Sequence, residues 1–321
     1  MKILVTGASG FVGQALCRQL VQEGQHEVVA AVRSPASVVT GGTRCVVGDI
    51  GSHTAWEKAT EGADAVVHLA GRAHIMHDTA CDRLAAYRAI NTEGTLALAR
   101  RALASGVKRL LFVSSIKVCG EGQLKSSTDP YNEASPASPS DAYAISKWEG
   151  ELGLWAAAKD TGLEVVVLRP PLIYGPGVRA NFLRLMTLVD RGWPLPFGGV
   201  RNHRDLLYLG NLVDAILTAV VHPAAKNKTF LLSDNQCVTT PELVRRIASA
   251  LERPARLWSV SEKCLRLAGR VIGKGATVDR VLGSMRVDSR LIHRDLGWSP
   301  PFSMQEGLRE TAKWYRRTYS R

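Results

Sequence analysis

The chain has 321 residues, 45% of them apolar, and carries 41 Lys/Arg against 29 Asp/Glu for a net charge of +12. That apolar fraction excludes a disordered chain, and the length suits one large α/β domain or two intimate ones. No run of about 20 apolar residues is present to span a membrane, and the dispersed basic charge, without aromatic interleaving, fits small anionic ligands rather than nucleic acid.

The run Ile3 to Val5 has the length and branching of a buried strand. It is too short for the apolar core of a signal peptide, and six scattered cysteines show no Cys-x-x-Cys spacing. A cytoplasmic protein with reduced thiols is expected. The strand breaks at Gly7, and Gly10 and Gly13 follow at intervals of three. From Phe11 the period turns helical, with Phe11, Val12, Ala15, Leu16 and Leu20 on one face. Strand, glycine turn and helix together make a dinucleotide site. Gly7 serves the tight turn, Gly10 the close approach of a pyrophosphate and Gly13 the packing of helix on strand. Ser9, Phe11 and Val12 share that turn, where helix N–H groups and the positive dipole end face the phosphates.

The second strand-like run, 27–32, passes from Val32 directly into Arg33 and Ser34. An acidic residue usually ends this strand to hold a ribose hydroxyl; a guanidinium and a hydroxyl suit a 2′-phosphate. NADP(H) is therefore preferred, with NAD(H) possible. Further strand-like runs at 44–48, 65–69, 109–114, 164–168 and 229–232 alternate with helical stretches that include 81–104 and 141–161. The pattern predicts an α/β fold, a Rossmann-type doubly wound parallel sheet with a smaller substrate-binding region toward the C-terminus. Residues 170–204 are rich in proline and glycine, 211–222 reads as a helix, and the tail holds helices at 240–252 and 304–318. Residues 1–169 and 206–234 are expected to form the dinucleotide-binding domain, and 170–205 with 235–321 the substrate cap.

Within the stretch 141–161, Tyr143 and Lys147 lie four residues apart, on one helix face. Ser114 and Ser115 end the strand at 109–113, whose C-terminal end opens at the same crevice. A hydroxyl, a phenol and an ammonium together manage one proton. Lys147 is expected to bring the Tyr143 phenol nearer neutrality, Tyr143 to exchange a proton with a carbonyl or alcohol oxygen, and Ser115 to hydrogen-bond that oxygen.

The glycine turn, Gly48-Asp49-Ile50, His68-Leu69-Ala70-Gly71, Asn91-Thr92-Glu93-Gly94-Thr95, Ser114 to Gly120, Tyr143-x-x-x-Lys147, Leu168 to Gly177, Arg204 to Tyr208 and Leu296 to Pro300 resemble one family along nearly the whole chain. It is the extended branch of the short-chain dehydrogenases/reductases, the NAD-dependent epimerases and dehydratases that act on nucleotide sugars. The resemblance implies that Ser115, Tyr143 and Lys147 are catalytic and that Ser114 is structural. It implies adenine contacts from Asp49 and Ile50, a cofactor lining of Leu69, Ala70 and Gly71 with Asn91 nearby, and Pro170 and Leu172 beside the nicotinamide. Asn181 and Arg204 match positions that bind the nucleotide diphosphate, with Arg280 a further candidate; a surface ion pair is the plainer role for Arg204.

Dehydratases of this family carry an Asp-Glu pair directly after the catalytic hydroxyl, where this chain has Ile116-Lys117, so elimination is not expected. Lys117 either borders the sugar or caps carbonyls at the strand end. The run 114–122 looks most like bacterial O-antigen enzymes that reduce the C4 keto group of a UDP-2-acetamido-2,6-dideoxy-hexos-4-ulose. A UDP-N-acetylquinovosamine- or fucosamine-forming 4-ketoreductase is thus the expected enzyme. A UDP-sugar 4-epimerase with tightly held NAD is the alternative, and a non-catalytic dinucleotide sensor a second. By the same resemblance, 81–104 and 141–161 are candidate homodimer helices. The basic segment from Lys263 to Arg290 is expected to belong to the cap, with an interfacial helix as the other reading.

Overall fold

The computed structural model describes residues 1–73, 80–122, 129–271, 273 and 275–319, the side chains at 276, 277 and 280 apart. β1 (Lys2–Thr6) leads through the glycine turn into α1 (Phe11–Glu23), which buries Gly13, Leu16, Cys17 and Leu20. β2 (Glu27–Val32), β3 (Thr43–Val46), a short α2 (Glu57–Thr60) and β4 (Ala65–His68) follow. α3 (Arg83–Arg88) starts on the Asp82 cap, widens into a π turn at Ala89–Glu93 and continues as α4 (Gly94–Ala104). The side-chain period predicts one unbroken helix over 81–104. The wide turn is set by where Asn91 finds its partners, a tertiary contact that periodicity does not carry.

β5 (Arg109–Val113) ends at Ser114, and α5 (Ala142–Ala158) begins on Asp141, whose carboxylate accepts the Ala144 N–H at 2.7 Å. β6 (Glu164–Arg169), β7 (Leu172–Tyr174), α6 (Ala180–Asp190), β8 (Leu206–Tyr208), α7 (Leu209–Val221) and β9 (Lys228–Leu231) come next. The chain finishes with α8 (Thr240–Leu251), α9 (Glu262–Val271), α10 (Gly275–Leu282), α11 (Arg290–Leu296) and α12 (Met304–Tyr319).

Seven strands pair in parallel in the order β3-β2-β1-β4-β5-β6-β9, the doubly wound sheet expected. Strand order reverses between β1 and β4, so a crevice opens beyond their C-terminal ends, next to Gly7. Both faces are covered. Ile3 and Val5 point into a core shared with α1 and α7 through Leu16, Leu212 and Ile216. The intervening Leu4 points the other way, to Trp56, Leu98, Phe112 and Leu154.

A third core belongs to the cap and gathers Tyr174, Phe182, Met186, Val244, Ile247, Leu308 and Tyr315. Here β8 pairs with β7 instead of joining the main sheet. Leu206 and Tyr208 enter the cap core, while Leu207 between them enters the sheet core. The division expected at 205/206 falls at the start of this strand, whose residues are shared by both cores.

Candidate active site

Three glycines shape the turn after β1. Gly7 takes φ +67°, and a Cβ there would sit 2.8 Å from the Ala70 nitrogen at the end of β4. A Cβ on Gly10 would lie 3.0 Å from the Gly7 carbonyl oxygen, and one on Gly13 would overlap it. Gly10 caps α1 with no side chain over the first turn, which leaves the N–H groups of Phe11 and Val12 facing the crevice. Ser9 is tied in place through its carbonyl, which accepts from Gln14 Nε2 at 2.9 Å. This cradle fits a dinucleotide pyrophosphate.

At the end of β2 Val32 is buried, while Arg33 is 77% exposed and pairs across the cleft edge with Asp49 at 3.7 Å. Ser34 lies beside it, its hydroxyl accepting from Ala36 N. Ile50 packs on Gly94 at the π turn, where a Cβ would meet it at 2.5 Å.

A one-way chain of hydrogen bonds runs from the cofactor loop to α5. Ala70 N–H donates to Thr6 Oγ1 (3.2 Å), which donates to His68 Nδ1 (2.6 Å). His68 Nε2 donates to Thr95 Oγ1 (2.9 Å), which donates to the Asn91 carbonyl (2.7 Å). Asn91 clamps the residue after Gly71: its Oδ1 accepts from Arg72 N at 2.7 Å, and its Nδ2 donates to Arg72 O and to Ser146 Oγ, each at 3.0 Å. Ser146 in turn donates to the Tyr143 carbonyl at 2.8 Å. This direction of donation fixes the Nε2–H tautomer of His68. Burial, and then the Lys147 charge, push His68 down to about 3.

Ser115, Tyr143 and Lys147 come together where β5 meets α5. The Ser115 hydroxyl bonds the Tyr143 phenol and accepts the Lys117 N–H at 3.2 Å. Lys147 donates to the Val113 carbonyl at 3.0 Å, lies 4.3 Å from the Phe112 ring centroid, and reaches beneath Gly71, whose Cβ would be 3.4 Å from Nζ. Burial pushes Lys147 down to about 8 against the attraction of Glu151. The expectation that Lys147 brings the phenol toward neutrality is corrected here. Burial pushes Tyr143 up to about 12 against the Ser115 hydrogen bond, and nearby Asp141 and Tyr87 add to the rise. Desolvation penalises the phenolate more than the Ser115 contact helps it.

Behind Lys147 sits a second buried assembly that sequence reasoning missed. Ser114 Oγ donates to Glu151, which also takes a forked bond from Arg169, Nη2 at 2.5 Å and Nε at 3.1 and 3.2 Å. Arg169 Nη1 reaches Cys119 Sγ at 3.5 Å. Glu151 was legible in principle: Tyr143, Lys147 and Glu151 follow at intervals of four along one helix face.

Lys117 gives its ammonium to Asp141 at 2.7 Å and to Glu121, tying the serine turn to the cap of the tyrosine helix. Pro170 is buried, its carbonyl accepting the Ile116 N–H at 3.0 Å, and Leu172 is 43% exposed beside it. In the cap, Asn181 is exposed in the first turn of α6. The Arg204 side chain has no ion pair or hydrogen bond among the described residues, so the surface-pair role is not what it does; burial lowers its pKa. The Arg280 side chain lies outside the described residues. Among the described residues, no cluster of His, Cys, Asp and Glu is placed to hold a metal ion, and no helix is long and apolar enough to cross a membrane.

Residues 3–232 match the NAD dependent epimerase/dehydratase family. The chain is 45% identical over 312 residues to a UDP-glucose 4-epimerase of Vibrio cholerae, covering 97% of this chain and 94% of that protein. Its fold is similar to that of a UDP-glucuronic acid 4-epimerase from Bacillus cereus in complex with NAD (TM-score 0.79, 20% identity, 99% of this chain and 100% of that one). It is also similar to a UDP-glucose 4-epimerase from Thermotoga maritima with UDP-glucose (TM-score 0.75, 23% identity, 99% of each chain).

Proposed function

The chain belongs to the NAD dependent epimerase/dehydratase family, and we propose that within it the protein interconverts the C4 epimers of a UDP-hexose or UDP-N-acetylhexosamine, with NAD held tightly. The observation that carries this reading is 45% identity to a UDP-glucose 4-epimerase along 97% of the chain. That relationship favours epimerisation over the 4-ketoreduction expected from sequence.

A dinucleotide bound at the glycine turn supplies reversible hydride uptake at the sugar C4. The chain's own residues then have one proton to manage. Tyr143 exchanges it with the C4 oxygen, Ser115 holds that oxygen in line, and Lys147 fixes the loop at Gly71 and supplies the positive charge beneath it. Asn181 and Arg204 hold the diphosphate, and the cap formed by 170–205 and 235–321 excludes water above the sugar. Lys117, occupied by Asp141 and Glu121, acts as the strut between Ser115 and Tyr143. α3, α4 and α5 supply the homodimer face.

Protein purified without added nucleotide and given UDP-glucose or UDP-N-acetylglucosamine is expected to form the galacto epimer, read by proton NMR, with no net change in reduced-nicotinamide absorbance. A second reading, NADPH-dependent reduction of a UDP-4-keto-6-deoxy-N-acetylhexosamine, is favoured by Arg33 and Ser34 following Val32 with no acidic residue at the strand end. Stoichiometric NADPH oxidation on such a sugar, with no epimer formed from UDP-glucose or UDP-N-acetylglucosamine, would replace the first reading with the second. In that case Arg33→Ala weakens NADPH by about 10- to 150-fold and leaves NADH nearly unchanged.

A further inference from the structure

Among the described residues, the five most exposed large apolar side chains are Val271 (78%), Val38 (68%), Trp258 (66%), Leu267 (64%) and Trp193 (59%). Four of these five belong to one part of the cap. Trp193 follows α6, and Leu195 beyond it bonds the backbone of Arg256 and Trp258 at 2.8 and 2.9 Å. Trp258 then leads, within a few residues, into α9.

α9 is apolar on two sides. Its inner side is closed by α10, with Gly269 so near Val278 that a Cβ would sit 2.6 Å from it. Its outer side presents Cys264, Leu267, Ala268 and Val271, all exposed, at the i, i+3, i+4, i+7 positions of a single face. Lys263 and Arg270 border this stripe along one side, exposed and without an ion pair among the described residues. Arg266, further round, is turned to Asp279. The sequence of 253–280 holds seven Lys/Arg against two Asp/Glu, a large share of the chain's excess positive charge.

We infer that this face rests on an anionic lipid bilayer. α9 lies in the headgroup plane, with Leu267 and Val271 toward the acyl chains and Lys263 and Arg270 at the level of the phosphates. Trp193 and Trp258 supply amphipathic rings of the kind that settle at a membrane–water boundary. Charge selects this occupant. A second copy of the chain meeting the same face would set two strongly basic surfaces against each other.

Vesicle flotation of the full chain tests the assignment. At low salt the protein is expected to float with phosphatidylcholine vesicles containing phosphatidylglycerol, to stay behind with phosphatidylcholine alone, and to be released by added salt. Leu267→Ser with Val271→Ser lowers the partition coefficient by about tenfold or more, and Lys263→Ser and Arg270→Ser by about fivefold each. Dinucleotide binding by each variant shows that it is folded. A wild-type protein that never floats at low salt, or one whose flotation is unchanged by Leu267→Ser with Val271→Ser, overturns the inference. Concentration-dependent dimerisation abolished by that same pair would give the face to a second copy instead, and equally overturns it.

Discussion

Two buried polar assemblies flank Lys147, and they satisfy the same low-dielectric environment in opposite ways. On the β4 side, Thr6, His68, Thr95 and Asn91 form a chain of neutral donors and acceptors with every proton placed. On the β6 side, Glu151 and Arg169 form an ion pair, with Glu151 wholly buried and bonded from two directions, by the Arg169 guanidinium and the Ser114 hydroxyl. The neutral side rejects a proton, and the ionic side supplies a negative charge that offsets part of the desolvation of Lys147. Catalytic geometry and a chargeable lysine are thus supplied by different neighbours.

The contrast can be broken experimentally, beginning with the phenol one helical turn before Lys147. Tyr143→Phe should lower kcat by about 10²–10⁴, with dinucleotide affinity by calorimetry and thermal stability both close to wild type. Retention of most of the turnover would take the proton away from Tyr143.

Glu151→Ala should cost about 3–5 kcal/mol in urea unfolding, because it leaves the Arg169 guanidinium buried and unpaired. It should also lower the pKa of Lys147 further, since Glu151 is the group that raises it. Thr95→Val, on the neutral side, removes a hydroxyl without stranding a charge and should cost only about 1–3 kcal/mol. Equal costs for the two variants would mean that the distinction between the assemblies has no energetic content.

The smallest effect per step is a slope. His68 titrates at about 3 when folded and at 6.5 when free, so below pH 6.5 the unfolded chain binds a proton that the folded chain refuses. Stability therefore falls as pH drops from 6.5 toward 3, by about 1.4 kcal/mol per pH unit from this group, and is unaffected by it above 6.5. Urea midpoints of wild type and His68→Gln should converge on acidification, the variant having the shallower dependence.

Much of this was legible in the sequence for a definable reason. The glycine turn, the strands and the Ser115–Tyr143–Lys147 set are written in short spacings and local period. Their placement at one sheet edge follows from the parallel topology. What stayed hidden depends on partners far along the chain. Glu151 meets Arg169 eighteen residues on and Ser114 thirty-seven residues back. Asn91 opens the π turn to clamp Arg72 and Ser146, from which it is separated by 19 and 55 residues. Lys117 reads either as bordering the sugar or as capping strand-end carbonyls until Asp141 and Glu121 are seen to hold it. The acidity of Tyr143 was misjudged because charge proximity can be read from spacing, whereas desolvation is a property of the assembled site.

β8 bears on how this molecule can be taken apart. Its three residues alternate between the sheet core and the cap core, and Asp234 fastens it by accepting from Tyr208 N at 2.8 Å while also accepting from Tyr174 Oη at 2.9 Å. Peeling away the cap would pull Leu207 out of the sheet's own interior, so the two parts should melt in one calorimetric transition. For the same reason the cap is a poor module for exchange between relatives. A chimera spliced at 205/206 would set Leu206 and Tyr208 of one parent into a cap core built by the other.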